Sequence, residues 1–194
     1  MAAGINFAAL NRLVVLLRML DMIGADGNPV LDKPHNFVEE IQGEGVGHGW
    51  PSAERDKDVK RSAAGRFFLH RKGAAPASID GAGPDPVVIP GSLGNSSWFC
   101  VAAAGSAALL RSVNHGVGRK WSRTLAAEKL REKARTKGMD AVTGNVEYVV
   151  KDKDTLFEEG GDAYKDIESV MKHAEGAGLV RRVARLDPLL VVKE

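Results

Sequence analysis

Ser112-Val113-Asn114-His115-Gly116-Val117-Gly118-Arg119-Lys120-Trp121-Ser122-Arg123 divides the chain. Before it, short apolar runs separated by glycine and proline read as strands and turns. After it, Thr124 to Lys137 reads as a helix, stopped by Gly138. The stretch itself places a histidine ahead of two glycines at alternate positions and then three cations, Arg119, Lys120 and Arg123, within five residues. Neutral imidazole is a nucleophile near pH 7 and can form a phosphoramidate with a nucleotide. Glycine lets a backbone approach a phosphate closely. Guanidinium and ammonium groups hold the charge of a transferring phosphoryl group. The same residues also suit a plain glycine turn that leads into a basic helix, with His115 on the surface.

Working outward, Val87 to Ile89 reads as a buried strand that ends at Pro90-Gly91, and Trp98 to Ala104 as the next strand. Between them Ser92, Asn95, Ser96 and Ser97 offer hydroxyls and amides beside two glycines. A small-residue helix runs through Leu109 and Leu110. Gly65 to His70 reads as a short strand delivering His70, Arg71 and Lys72 to a turn at Gly73. On the other side, Asn145 to Val150 reads as a strand. Asp162 stands as the cap of a helix whose buried face is Ala163, Ile167, Val170, Met171 and Ala174. Leu179 to Lys193 holds two short strands around Asp187-Pro188. The fold class is α+β, with mixed sheets and flanking helices.

Ile5 to Ile23 reads as a helix that is apolar on almost every face, through Phe7, Leu10, Leu13, Val14, Leu17 and Leu20. Such a helix is normally enclosed by a larger protein. Asn6, Asn11, Arg12 and Arg18 interrupt it too often for a membrane span, and the start lacks a signal-peptide pattern. Gly24 to Pro34 is turn-rich. Residues 43–66 are glycine-rich and then charged, as in a surface loop.

The chain of 194 residues suffices for one domain with a sizeable core, and 44% hydrophobic with 27% charged residues is an ordinary globular composition. A formal charge of +2 conceals an asymmetry. Nine Lys or Arg face two Glu between Arg111 and Lys137, whereas seven Asp or Glu face three Lys between Lys151 and Glu168. The basic stripe suits a polyanion such as RNA, or equally a solvated helix face. With the single cysteine, Cys100, no internal disulfide can form, which fits a cytoplasmic protein.

His115-Gly116-Val117-Gly118-Arg119 with Ser122-Arg123 resembles the His-Gly-Ala-Gly-Arg-x-x-Ser-Arg signature of the RtcB family of RNA ligases. Further matches follow the family's order: Pro34-His35-Asn36-Phe37-Val38, His70-Arg71-Lys72-Gly73-Ala74-Ala75-Pro76-Ala77, Ile89-Pro90-Gly91-Ser92-Leu93-Gly94 with Ser97, Ala163-Tyr164-Lys165, and Val191-Val192-Lys193. The first helix is similar to a segment in the middle of the family's sequences. The resemblance therefore implies residues 1–194 to be a partial ligase domain, the carboxy-terminal half, without the half that carries most metal ligands.

What the resemblance implies is a ligase that joins an RNA 3′-phosphate or 2′,3′-cyclic phosphate to a 5′-hydroxyl, using GTP and manganese. His115 would take GMP from GTP. His35 would bind the metal, and His35 with Asn36 would contact the nucleotide. Ser97 and Lys193 would contact guanine, and Tyr164 would pack on it. Pro90, Gly91, Ser92 and Leu93, with Gly116, Val117 and Gly118, would hold the rest of the nucleotide. Arg71, Lys72, Arg119, Lys120 and Arg123 are candidates for phosphate or RNA. Two function classes follow: a ligase half that works with an amino-terminal half or self-associates through residues 5–23, and a non-catalytic nucleotide- or RNA-binding remnant.

Overall fold

The computed structural model describes residues 2–34, 36–42, 66–144 and 146–193. His35 and most of the expected 43–66 loop lie outside the described residues, as does the side chain of Lys193. The chain divides into two compact units, Met1–Ala75 and Pro76–Glu194.

In the amino-terminal unit, α1 (Ala2–Ile23) is the expected apolar helix, extended by one turn. Phe7, Leu10, Leu13, Val14, Leu17 and Met22 are all exposed on it. Arg12 is tied to Asp32 beyond the helix end by a two-pronged ion pair of 2.5 and 2.8 Å. By length and composition α1 is long and apolar enough to cross a membrane, so its polar residues do not exclude a span as the sequence suggested. The same test passes the core helices of soluble proteins. The strands β1 (Asn36–Gln42) and β2 (Arg66–Lys72) pair antiparallel, with Asn36 opposite Lys72 and Val38 opposite His70. His70, Arg71 and Lys72 thus belong to the strand itself rather than to a turn, and Gly73 follows with a positive φ of 73°. The strand β3 (Ala74–Pro76) closes this unit.

The carboxy-terminal unit begins with a small hairpin, β4 (Ile79–Asp80) and β5 (Gly83–Pro84), whose turn is closed by Ala82 N–H donating to Asp80 Oδ1 at 2.9 Å. Next come β6 (Pro86–Ile89) and β7 (Ser97–Ala102), followed by a 3-10 helix, Ala104–Leu109, where the sequence suggested a small-residue helix. After β8 (Ser112–Asn114), the basic helix α2 (Arg123–Lys137) starts at Ser122, whose Oγ accepts from Leu125 N–H. Gly138 ends α2 with φ 84°, and Arg135 and Lys137 in its last turn complement the helix dipole. Two short helices, α3 (Asp140–Thr143) and α4 (Asp154–Glu159), flank β9 (Glu147–Val150). The helix α5 (Ile167–Gly176) precedes β10 (Val180–Leu186) and β11 (Leu190–Lys193).

The cap of α5 differs from the sequence expectation. Asp166, not Asp162, accepts the Ser169 N–H at 2.7 Å. Asp162 lies in a separate 3-10 turn, Gly161–Ala163, because Tyr164 and Lys165 are drawn into an extended pairing with the histidine turn. Ala163 consequently packs with Ala126, Leu130 and Val142, away from the Ile167, Met171 and Ala174 face of α5.

Three strands in the order β10-β7-β6, all antiparallel, form the main sheet. Its interior face carries Val87, Ile89, Cys100, Ala102 and Val180. The strands β11 and β9 make a parallel pair. Mixed small sheets with flanking helices are the α+β arrangement anticipated from the sequence.

Candidate functional site

The histidine turn leaves β8 and returns as an extended segment. Lys165 N–H donates to Gly118 O at 3.0 Å, and Lys120 N–H donates to Ala163 O at 2.7 Å. Arg119 and Tyr164 face each other in this antiparallel bridge. The pairing brings two motifs 45 residues apart into register.

On the other side, the turn meets the loop after β6. A Cβ on Gly116 would lie 3.6 Å from Pro90 O, so the two backbones are in near contact. Gly91 N–H donates to Ser97 Oγ at 3.2 Å, and Asn95 Nδ2 donates to Ser92 Oγ at 2.8 Å, which folds the loop onto itself. Gly94 sits at φ 79°, and a Cβ there would stand 2.4 Å from Thr143 O. Leu93 bridges to Gly160. Pro90, Gly91, Ser92, Leu93 and Ser97 therefore share one loop, against which Gly116 lies. His115 itself is half-buried.

Tyr164 reaches the turn through Arg119. The Arg119 guanidinium lies 4.7 Å from the centroid of the Tyr164 ring. It donates to Tyr164 Oη at 2.7 Å, to Glu158 O at 2.6 Å, to Trp121 O at 3.0 Å and to Glu159 Oε2 at 3.4 Å. Tyr164 O–H in turn donates to Glu159. Burial and then that carboxylate raise the Tyr164 pKa, so the phenol stays protonated and keeps donating. Arg119 is thus spent on holding the turn to the Glu158–Tyr164 segment. Arg123 is mostly exposed and stands 3.8 Å from Glu158.

Lys165 also lies beside the turn. A Cβ on Gly118 would lie 3.9 Å from Lys165 Nζ. Neither Lys165 nor Lys120 has a carboxylate partner among the described residues; the Lys120 ammonium lies 5.8 Å from the centroid of the Trp121 ring. Both line two cavities. One, of about 280 Å³, lies against Asn95, Gly144, Gly161 and Tyr164. The other, of about 780 Å³, lies along α5. Sequence reasoning quoted Lys165 only as part of a motif and overlooked Glu159, although the Glu158-Glu159 pair stood out in an acidic run.

The remaining candidates are elsewhere. Asn36 Oδ1 accepts from His70 Nε2 at 2.9 Å, within the amino-terminal unit. Arg71 is buried there and donates to Glu39 at 2.5 Å, while Lys72 is exposed. The Lys193 backbone pairs with Val150 in the β11-β9 ladder. Among the described residues no three His, Cys, Asp or Glu side chains gather closely enough to hold a metal ion. Burial pushes the Cys100 thiol up to about 11, which leaves it a poor nucleophile.

The family model described as tRNA-splicing ligase RtcB matches residues 1–194. The chain belongs to the RtcB family. It is 38% identical over 187 residues to the RNA-splicing ligase RtcB2 of Escherichia coli, covering 96% of this chain and 43% of that protein. It is 35% identical over 203 residues to the RNA-splicing ligase RtcB of Mycobacterium bovis, covering 100% of this chain and 44% of the relative. With the tRNA-splicing ligase RtcB of Pyrobaculum aerophilum the identity is 27% over 211 residues, covering 100% of this chain and 40% of the relative. The RtcB-family chain thus spans less than half the length of these relatives.

Proposed function

We propose that this chain carries the nucleotide-transfer part of a cytoplasmic RNA ligase and that His115 is its nucleophile. The observation that supports this best is the near contact of the His115-to-Gly118 turn with the Pro90-to-Ser97 loop, at Gly116 and Pro90. A ring nitrogen of His115 attacks the α-phosphorus of GTP. A P–N bond forms, the bond to the β-phosphate breaks, and pyrophosphate leaves. An oxygen of the RNA 3′-phosphate then attacks the same phosphorus and breaks the P–N bond. The resulting RNA–GMP anhydride is opened by the 5′-hydroxyl, which releases GMP and joins the strands. Three displacements replace a direct attack of the 5′-hydroxyl on the 3′-phosphate, whose leaving group would be a poor one.

The chain's residues divide this work. Gly116 and Gly118 keep the turn open to phosphate, and Lys165 supplies positive charge beside it. Ser92 and Ser97 place hydroxyls on the adjoining loop. Arg119, Glu159 and Tyr164 fix the turn in place. Manganese belongs to this reading through the family, with His35 as its ligand here, but the described residues supply no further ligand set and no step is assigned to it. The exposed apolar surface of α1 supports association with a further ligase portion or a second copy.

Incubation with GTP labelled at the α-phosphate, with manganese, tests the assignment. The wild-type assembly is expected to acquire an acid-labile label that His115→Ala loses. Equal labelling of both proteins refutes it. The lack of a described ligand cluster also favours a second reading, nucleotide or RNA binding without chemistry, for which both proteins bind and neither is labelled.

A further inference from the structure

Asn114, Lys120 and Lys165 line the larger cavity together with α5 and the residues after it. The latter supply Ser169, Val170, His173, Ala174, Ala177 and Leu179 to its wall. The cavity of about 780 Å³ is within the range that accommodates small organic ligands, roughly 300–1,000 Å³. Its lining combines two chemistries. Lys120 and Lys165 bring two ammonium groups without carboxylate partners among the described residues, and Val170, Ala174, Ala177 and Leu179 bring apolar surface, with Ser169 and His173 among them. Asp166, the acid in this lining, accepts the Ser169 N–H at the start of α5 and keeps its charge. Asp162 of the smaller cavity is paired with Lys133 at 2.6 Å. Two lysines against one carboxylate leave the lining of the larger cavity at +1 with His173 neutral.

We propose that this cleft binds single-stranded RNA, with Lys120 and Lys165 on a backbone phosphate and the α5 wall against the adjoining nucleoside. Charge complementarity selects the occupant: the two ammonium groups suit an anion, and the apolar part of the same lining suits an uncharged body attached to it. A nucleotide within a strand combines the two. Sharing of both lysines with the smaller cavity, and the closeness of Lys165 Nζ to Gly118, lead the strand from the cleft to the histidine turn. Phosphate contacts of this type fix register without reading sequence. The inference rests on the ligase reading for its choice of RNA, yet it is separable from the nucleophilic role of His115.

Fluorescence anisotropy with a labelled ten-nucleotide RNA, on the full chain, tests it. Lys120→Met with Lys165→Met keeps the stems and removes the charges. Affinity at about 0.1 M salt is expected to fall at least about tenfold, and the magnitude of the log-affinity against log-salt slope to fall by about 1.4, the effect of two lost phosphate contacts on a single strand. Ala177→Trp adds bulk to the apolar lining of the cleft and is expected to weaken binding with little change in salt slope. Lys151→Met with Lys153→Met, on the surface outside the cleft, is expected to stay within about twofold of wild type. Thermal melts confirm that each variant is folded. The inference is overturned if wild type does not bind the RNA, if the Lys120 and Lys165 variant binds it as wild type does, or if GTP displaces it competitively. Labelling of His115 by GTP is read on wild type in a separate assay, so either reading can fail alone.

Discussion

Helices α1 and α5 are both rich in apolar residues, and they end up in opposite surroundings. On α5 the apolar positions recur at helical spacing, and Ile167, Met171 and Ala174 are buried while Glu168 and Lys172 face outward. On α1 they cover nearly the whole circumference, and Phe7 and Leu10 remain 73% and 59% exposed. The difference shows what periodicity encodes. A one-sided stripe specifies a helix that finds its cover on one face, within its own unit. An all-round apolar surface specifies a helix that needs cover on every side; among the described residues Leu16 and Leu20 are half-covered, while Phe7, Leu10 and Leu17 stay exposed. Each exposed Leu or Phe forgoes about 1.5–3 kcal/mol of burial, a large fraction of a typical domain stability of about 5–15 kcal/mol.

The largest expected effect tests whether the two regions differ in this way. Leu130 is 1% exposed and packs with Ala126, Val142 and Ala163. Leu130→Ala should lower stability by about 2–5 kcal/mol in chemical denaturation. Replacing Leu10, Leu13 and Leu17 together by Gln should leave the carboxy-terminal unit's melting unchanged and reduce self-association in sedimentation velocity. A monomeric wild-type chain whose triple variant unfolds would break the comparison, because α1 would then already be covered.

A smaller effect comes from one substitution made in both regions. Gly94→Ala forces a Cβ at φ 79° against Thr143 O, which costs about 1–3 kcal/mol in strain before any displacement of the loop. Gly4→Ala, on α1, has nothing within 4 Å of the new Cβ and should stabilise its helix by up to about 1 kcal/mol. Thermal melts of the two variants should move in opposite directions.

Much of the carboxy-terminal unit was legible in the sequence. The runs Val87-Val88-Ile89 and Trp98-Phe99-Cys100-Val101 have the β-branched and aromatic content of strands, and Ser122 and Gly138 bracket α2 with standard cap residues. The short helices α3 and α4 were not visible, since four and six residues carry too little periodicity. Placing the α5 cap at Asp162 failed because a local cap signal cannot reveal that Tyr164 and Lys165 pair with residues far back in the chain. For the same reason cation spacing, which makes Arg119 a phosphate or RNA candidate, does not reveal that Arg119 also hydrogen-bonds Glu159 and Tyr164. Arg119→Lys sharpens this point. A lysine cannot reproduce five directed donors, so a loss of about 1.5–3 kcal/mol is expected in denaturation despite the retained charge.

The smallest predicted effect concerns acid, and it again separates the two units. Arg182 hydrogen-bonds Glu175 through its guanidinium at 2.7 Å and holds that carboxyl below its usual pKa. In the amino-terminal unit Arg12 does the same to Asp32. A carboxyl whose folded pKa is depressed binds fewer protons folded than unfolded. It therefore stabilises the fold above its unfolded pKa, near 4.3 for Glu, and that contribution disappears as pH falls through the lower folded value. Both members of the Glu175 pair are 30% exposed, against 43% and 45% for Arg12 and Asp32. Solvent and salt screen the more exposed pair more strongly. Denaturation between pH 6 and pH 3 should show Glu175→Gln with a shallower acid loss than wild type, and Asp32→Asn nearly parallel to it. Raising the salt to about 1 M, where the Debye length is about 3 Å, should abolish the Asp32 contribution first. Equal acid sensitivity of the two pairs would show that the exposed unit is protected from solvent as well as the packed one.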